Sequence, residues 1–270
     1  MEKIKNKITF VGAGPGNPDL ITRAGWRELS KAEIILHDAL IDFEGFHKSS
    51  PHAKWINVGK RANQISIKQN FIGKLLVNFF QQGYKVVRLK GGDSSVFGRI
   101  SEEIQDLRKN NIPFKIIPGV TAACSTAADL SISLTKRNVS RTVSIITPAV
   151  SMGSLKDNKW VNTVMHSDTS VIYMAGKDRQ RIATLLINKG MSPLCPVALV
   201  ESAGSKKCYK RILTLQNLMK QDYLDLQGPV CIIVGEVLKD SNLYEKLPKE
   251  MQSDLFAEQF SEIKKISYGK

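Results

Sequence analysis

The sequence predicts an α/β protein of two domains, and three observations carry that expectation. Short β-rich runs alternate with helical stretches from Ile8 onward; the alternation restarts after Thr135-Lys136-Arg137; and 270 residues with 42% hydrophobic content suffice to bury two cores. The boundary is expected near residue 136, giving domains over 1–135 and 136–240 and a charged peripheral tail over 241–270.

Taken in order, Ile8 to Val11 forms a strand that runs into Gly12-Ala-Gly-Pro-Gly-Asn-Pro-Asp19, and Leu20 to Ser30 follows as a helix. Ile34 to Leu36 is a strand with His37-Asp38 at its exit, and Trp55 to Val58 leads into Gly59-Lys60-Arg61. Ser66 is placed to cap a helix whose Ile67, Phe71, Leu75 and Phe79 share one face. Lys85 to Leu89 and Phe114 to Ile117 are further strands, the second stopped by Pro118-Gly119, after which Thr121 opens a small-residue helix over Ala122 to Ala128. This alternation argues for several parallel strands. In the second half, Val143 to Ile146, Ser170 to Tyr173, Pro196 to Glu201, Lys207 to Leu213 and Val230 to Val234 read as strands, with a helix over Asp178 to Lys189. The Lys207 run is the more polar and is expected at a sheet edge. A modest amphipathic stretch around Leu255 to Ile263 points to a peripheral helix in the tail.

Cys124, Cys195, Cys208 and Cys231 are scattered without metal-ligand spacing among small or apolar neighbours, so they read as reduced core residues and no metal is expected. The apolar run after the charged first residues ends at Gly12, too short for a signal-peptide core, and no run approaches the ~20 residues of a membrane helix. A cytoplasmic protein without a membrane partner is the expectation. The net charge of +14 predicts attraction to polyanions. A solvated lysine-rich surface, a polycarboxylate substrate and nucleic acid each account for it, although no arginine-rich run, aromatic RNA-binding set or zinc-finger spacing supports the last.

The most informative segment is Arg88-Leu-Lys-Gly-Gly-Asp-Ser-Ser-Val-Phe-Gly-Arg99. A strand running straight into paired glycines and an aspartate lets a ligand touch backbone, and Asp93 supplies an acceptor for ribose hydroxyls or an ammonium group. The first glycine cluster, Gly12-x-Gly14-x-Gly16, is not a dinucleotide fingerprint: Asn17 holds the last glycine position, and Pro15 and Pro18 stiffen the loop. It reads either as a plain proline-glycine connection or as a rigid loop against a bulky ligand.

These segments, with Val58-Gly-Lys-Arg61, Ile117-Pro-Gly-Val-Thr-Ala122, Leu134-Thr135, Tyr173-Met174, Pro196 to Glu201 and Gly228 to Val234, occur in the order and spacing of the tetrapyrrole methylases. The chain resembles that family from about Ile8 to Val237, nearest its uroporphyrinogen-III-methylating branch. The resemblance implies two α/β domains with the cofactor cleft between them, a homodimer, and methylation of uroporphyrinogen III at C2 and C7 by S-adenosyl-L-methionine. The products would be precorrin-2, for siroheme or cobalamin, and S-adenosyl-L-homocysteine. It also implies cofactor contacts at Pro15, Gly91, Gly92, Asp93, Val96, Thr121, Ala122, Met174 and Ala203, with proton-transfer roles on Asp38 and Lys60. The short stretch before Ile8 is expected to hold no fused dehydrogenase or ferrochelatase module, leaving later siroheme steps to other proteins.

The chemistry suits those residue types. A pyrrole β-carbon is an enamine-like nucleophile, so methyl transfer needs mainly alignment, and a carboxylate helps as positive charge develops on the ring. Asp38 can stabilise that charge and accept a proton, and Lys60 can donate one or bind a carboxylate. Taken without the resemblance, Asp38 is a strand-end turn residue and Lys60-Arg61 a solvated basic turn. Uroporphyrinogen III carries eight carboxylates, which would give the basic excess a purpose at Lys60, Arg61, Lys90, Arg99, Lys136, Arg137 and Arg141.

The sequence departs from the family pattern at Ser94-Ser95 in place of proline and phenylalanine, Ala39 in place of arginine and Lys136 in place of histidine. Thr147-Pro-Ala149 replaces Thr-Gly-His, and Ala203 replaces glycine. These touch substrate detail more than methyl transfer. A later corrin methylase, a methylase of rRNA ribose or diphthine precursor, a basic nucleic-acid-binding protein and a silent cofactor-binding protein stay open as rivals.

Overall fold

In the computed structural model, which describes residues 7–59, 69–148, 158–220 and 225–247, all ten expected strands are present, and their ends shift by no more than a few residues. The chain divides into two units, Met1–Ser125 with Ser202–Cys208, and Thr126–Glu201 with Tyr209–Lys270. The expected boundary near residue 136 falls inside the second.

In the first unit, β1 (Ile8–Gly12), β2 (Ile34–His37), β3 (Lys54–Asn57), β4 (Val86–Lys90) and β5 (Phe114–Ile117) make one sheet in the order β3-β2-β4-β1-β5. Every pairing is parallel. Helices α1 (Arg23–Leu29), α2 (Phe43–His47), α3 (Gln69–Gln81), α4 (Ile100–Lys109) and α5 (Ala122–Asp129) follow the strands in turn, and the division between the units after Ser125 falls within α5. Strands β1, β2 and β4 are buried along their whole length, as a parallel sheet covered on both faces requires. One core gathers Phe10, Leu36, Leu76 and Leu107, and a second gathers Val11, Leu29, Ile35 and Leu89, so successive residues of β1 and β2 point into opposite cores. Because all five strands run the same way, the loops after β1, β2, β4 and β5 leave from one edge of the sheet.

The first helix begins later than its sequence pattern predicts. Pro18–Leu20 forms a 3-10 turn capped by the Asn17 side chain, and Thr22, in extended conformation, accepts from the Gly25 N–H at 3.1 Å and opens α1 at Arg23. Two caps in succession split what periodicity alone joins. The expected capping residue Ser66 lies outside the described residues, as does the tail stretch around Leu255 to Ile263.

The second unit holds β6 (Val143–Ile146), β7 (Thr169–Tyr173), β8 (Pro196–Glu201), β9 (Tyr209–Thr214) and β10 (Val230–Gly235) in the order β6-β7-β10-β8-β9. Only β6 and β7 pair in parallel; the other three pairings are antiparallel. Helices α6 (Lys159–Met165), α7 (Arg179–Asn188), α8 (Leu215–Met219) and α9 (Asn242–Glu245) complete it, and Ile172, Ile182, Leu186, Val197 and Ile232 centre its core. Strand β9 closes one edge of the sheet, where its polar first half, Tyr209 to Arg211, is exposed.

Candidate active site

At the carboxyl edge of the first sheet three glycine-bearing loops press together. The Gly14 N–H donates to the Gly92 carbonyl at 3.2 Å and the Gly92 N–H returns the bond to Gly14 at 2.7 Å. A Cβ on Gly12 would stand 2.5 Å from the Gly119 nitrogen and 2.8 Å from the Gly92 oxygen, so β1, β4 and β5 can exit this close only without side chains. Gly91 differs from all of these. Its φ lies outside the left-handed region and a Cβ there would meet nothing within 4 Å, so neither backbone nor packing needs a glycine. Open space beside bare backbone is what a closely approaching ligand uses, and Gly91-Gly92 is therefore a fitting cradle for a cofactor.

Asp93 is tied to the same loops. Its Oδ2 accepts from the Gly119 N–H at 2.9 Å, and its Oδ1 accepts from the Ser95 N–H at 2.8 Å and from the Ser95 hydroxyl. Burial pushes the carboxyl up, but the Ser95 hydroxyl and the two N–H donors outweigh it and hold Asp93 below the usual carboxylate range. Its unused lone pairs remain available to a hydroxyl or ammonium group. Val96, half-buried, follows on the turn closed by its own N–H to the Asp93 carbonyl at 3.2 Å. Phe97 and Arg99 both take left-handed conformations, φ 52° and 55°, on either side of Gly98. Such conformations in non-glycine residues cost energy and gather where function demands them.

Asp38, at the exit of β2, belongs to a buried cluster of charges. Arg88 on β4 donates from Nη2 to Asp38 Oδ1 at 2.5 Å, and the Gly91 N–H donates to Asp38 Oδ2 at 3.1 Å. Burial pushes the Asp38 carboxyl up, but the charges of Arg88 and Lys90, with the bonds from Arg88 and Gly91, hold it below its ordinary value. Asp38 is thus a fixed anion, one edge of it reachable, since its side chain is 31% exposed. His37 beside it is buried in a group of rings with Phe43 and Trp55, centroids 5.6 and 5.8 Å away, which packs the loop that carries the carboxylate.

Lys90 needs correction. Expected on substrate carboxylates, it is 2% exposed, and its ammonium donates to Glu103 at 2.7 Å, so it serves the cluster from within. Glu103 itself went unnoticed in the sequence. The signal was there: it shares the apolar stripe of Ile100, Ile104 and Leu107 on α4, a carboxylate at helical spacing among residues that must be buried. Arg88, a charge flanked by Val87 and Leu89 in a fully buried strand, is the matching signal on β4.

The other expected residues lie as follows. Pro15 sits in the loop that meets the 202–208 segment, where the Asn17 N–H donates to the Gly204 carbonyl at 2.8 Å. Ala203, buried, lies between two left-handed residues, Ser202 at φ 52° and Gly204 at φ 72°, and is not itself left-handed, so its methyl group brings no backbone strain. Thr121 and Ala122, half-buried, stand at the start of α5, where the Thr121 carbonyl accepts from the Cys124 N–H at 3.1 Å. Arg99 is exposed and forks onto Glu102 at 2.8 and 2.6 Å. In the second unit, Met174 at the exit of β7 is left-handed, φ 55°, and 53% exposed. Lys136, Arg137 and Arg141 line a basic hollow of about 440 Å3, in which Lys136 pairs with Asp240 at 2.6 Å. Lys60 and Arg61 lie outside the described residues.

Comparison with known proteins gives one consistent family. The model of the tetrapyrrole (corrin/porphyrin) methylases matches residues 7–218. A uroporphyrinogen-III C-methyltransferase of Cyanidium caldarium is 36% identical over 247 residues, covering 91% of this chain and 98% of that protein. A siroheme synthase of Saccharophagus degradans is 37% identical over 243 residues, and the chain spans only 52% of its length. Among solved structures, uroporphyrin-III C-methyltransferase of Thermus thermophilus complexed with S-adenosyl homocysteine matches with a TM-score of 0.74 and 28% identity, covering 86% of this chain and 99% of that one. The cobalamin-biosynthetic cobalt precorrin-4 methyltransferase matches with a TM-score of 0.76 and 26% identity, covering 87% and 96%.

Proposed function

Because the chain belongs to the tetrapyrrole (corrin/porphyrin) methylase family, we propose that it methylates uroporphyrinogen III at C2 and C7, using S-adenosyl-L-methionine, and yields precorrin-2 for siroheme, cobalamin or both. The observation that carries the chemistry is Gly91: a glycine required neither by backbone nor by packing, joined by its N–H to the partly exposed Asp38 carboxylate. The full-length relative supplies the substrate class.

The bound cofactor supplies an electrophilic methyl group. The chain's residues align and stabilise. Gly91 and Gly92 receive the cofactor against bare backbone, and Asp93, Pro15, Val96, Thr121, Ala122, Met174 and Ala203 shape and orient its binding. Asp38 is held ionised, so it favours the positive charge that builds on the pyrrole ring during transfer. A carboxylate with a depressed pKa is a weak base, and its acceptance of the ring proton follows the transfer instead of driving it. Lys60 returns a proton or grips a substrate carboxylate. Arg61, Arg99, Lys136, Arg137 and Arg141 meet the acidic side chains of the porphyrinogen, for which an exposed guanidinium is suited by its paired donors. The protein works as a cytoplasmic homodimer; among the described residues no helix is long and apolar enough to cross a membrane.

The test is anaerobic incubation of the purified protein with uroporphyrinogen III and methyl-labelled S-adenosyl-L-methionine, following label and mass of the tetrapyrrole, with Asp38→Ala as control. Two methyl groups on the macrocycle, lost or strongly slowed in the variant, are the expected result. Labelling of a corrin precursor but not of uroporphyrinogen III would move the assignment to a later methylase, a reading that the likeness to cobalt precorrin-4 methyltransferase keeps in view.

A further inference from the structure

Glu103 is wholly buried on α4, and it organises the cluster of charges behind the glycine loops. Its carboxylate accepts from Arg88 Nε at 3.0 Å, from Arg88 Nη2 at 3.3 Å and from Lys90 Nζ at 2.7 Å. Arg88 is thereby gripped as a fork on one side, while Nη1 donates to the Leu89 carbonyl at 3.0 Å and Nη2 reaches Asp38 at 2.5 Å. Four formal charges, two of each sign, share this space, so removing any one of them alone leaves the cluster with a net charge. A buried cation without a partner is heavily penalised, which gives Glu103 a direct hold on where Arg88 and Lys90 sit. Arg88 fixes one oxygen of Asp38; the other oxygen fixes the Gly91 N–H at 3.1 Å.

We propose that Glu103 is a positioning residue for methyl transfer: through Arg88 it sets the place of the Asp38 carboxylate and, through Asp38, that of the Gly91 backbone in the cofactor loop. The geometry is one chain of bonds, Glu103 to Arg88 to Asp38 to Gly91, that starts at a wholly buried carboxylate of α4 and ends at the glycine cradle. Misplacing an aligned carboxylate by a fraction of an ångström weakens its stabilisation of a developing charge far more than it weakens substrate binding. The effect of Glu103 therefore belongs in kcat. The proposal rests on Asp38 being the anion that faces the substrate ring.

The experiment is a double-mutant cycle of Glu103→Gln and Asp38→Asn in the full chain, with kcat and the KM for uroporphyrinogen III measured separately and folding checked by near-ultraviolet circular dichroism. Glu103→Gln is expected to lower kcat by about tenfold or more while KM stays within about twofold, and the double variant is expected to be no slower than Asp38→Asn alone. A folded Glu103→Gln with wild-type kcat, or effects that multiply in the double variant, would overturn the proposal. Should Asp38→Asn alone leave kcat unchanged, the role given to Asp38 falls first and the action of Glu103 through it falls with it. Since Glu103→Gln leaves two buried cations facing one anion, Glu103→Gln with Lys90→Met restores neutrality and must show the same loss of kcat. Recovery of wild-type kcat in that neutral variant would mean that charge balance alone, not positioning, is what Glu103 supplies.

Discussion

The Cα of Gly12 and the backbone of Gly119 approach so closely that a Cβ on Gly12 would lie 2.5 Å from the Gly119 nitrogen and 2.6 Å from its Cα, while after the neighbouring strand β4 a Cβ on Gly91 would meet nothing within 4 Å. The two glycines thus fail differently when a methyl group is added. Gly12→Ala forces the exits of β1, β4 and β5 apart and is expected to cost about 1–3 kcal/mol, read as a fall in the urea midpoint. Gly91→Ala should leave that midpoint within experimental scatter, or raise it slightly by stiffening the unfolded chain. Titration calorimetry with S-adenosyl-L-homocysteine should nevertheless show its affinity reduced by about tenfold or more, because the added methyl fills the cradle. Equal cofactor affinity in Gly91→Ala would remove Gly91 from the site.

Asp38 and Asp93 make the first unit acid-sensitive in a defined sense. Both carboxyls have folded pKa values below their ordinary ones: at Asp38 burial opposes but Arg88 and Lys90 prevail, and at Asp93 burial opposes but Ser95 and the Gly119 N–H prevail. A depressed folded pKa means that the fold favours the ionised form, so the stabilisation is present above the unfolded value, about 3.9, and is lost as pH falls from there through the folded value. Wild-type protein is therefore expected to lose urea resistance steeply below about pH 4. Asp93→Asn, which retains an acceptor oxygen but has no charge to lose, should be less stable at pH 7 and show a shallower decline. A variant whose decline parallels the wild type would show that other carboxyls govern acid unfolding.

The thiols separate by environment. Burial pushes the Cys195 thiol up to about 12, and burial pushes Cys231 up to about 11, so neither forms appreciable thiolate at pH 8, whereas Cys124 is exposed on α5. Iodoacetamide treatment of the native protein, followed by peptide mass spectrometry, is expected to modify Cys124 quickly and to spare Cys195 and Cys231 until denaturant is added. Early labelling of Cys231 would contradict its place in the core of the second unit.

Much of this is legible in the sequence, and what is not has a physical reason. Strands announced themselves because β1, β2 and β4 are buried along their length and so read as short runs rich in apolar, β-branched residues, broken in β4 only by Arg88 and Lys90. The glycine loop at 91–93 stood out because glycine after a buried strand is a local signal. The sequence did not reveal that Lys90 points inward: a lysine next to a binding loop looks exposed until its partner is known, and Glu103 lies on another element, thirteen residues on. Long-range ion pairs leave only half a signature at each site, here a charge in an apolar strand and an acid on an apolar helix face. The mixed pairing of the second sheet was equally hidden, since β8 and β10 are buried runs that suit either direction.

The net charge of +14 bears on where a polyanionic substrate is held. If it were only a solvated surface, no single arginine would affect substrate use, and salt would act on catalysis weakly and generally. Arg137 and Arg141 lie exposed in the hollow after Thr135, close in sequence to Lys136, whose charge is already engaged by Asp240. A porphyrinogen with eight carboxylates would be drawn there by summed attraction, which screening by salt reduces. Replacing both arginines by alanine is expected to raise the KM for uroporphyrinogen III by about tenfold at low salt, since two exposed charge-assisted contacts are lost. The dependence of KM on ionic strength should flatten at the same time, while affinity for S-adenosyl-L-homocysteine stays unchanged. Arg99→Ala tests the opposite case in the first unit: its fork is occupied by Glu102, so a smaller change in KM is expected unless substrate displaces that carboxylate. If KM and its salt dependence keep their wild-type values in the double variant, the basic hollow is surface and the porphyrinogen's carboxylates are met elsewhere.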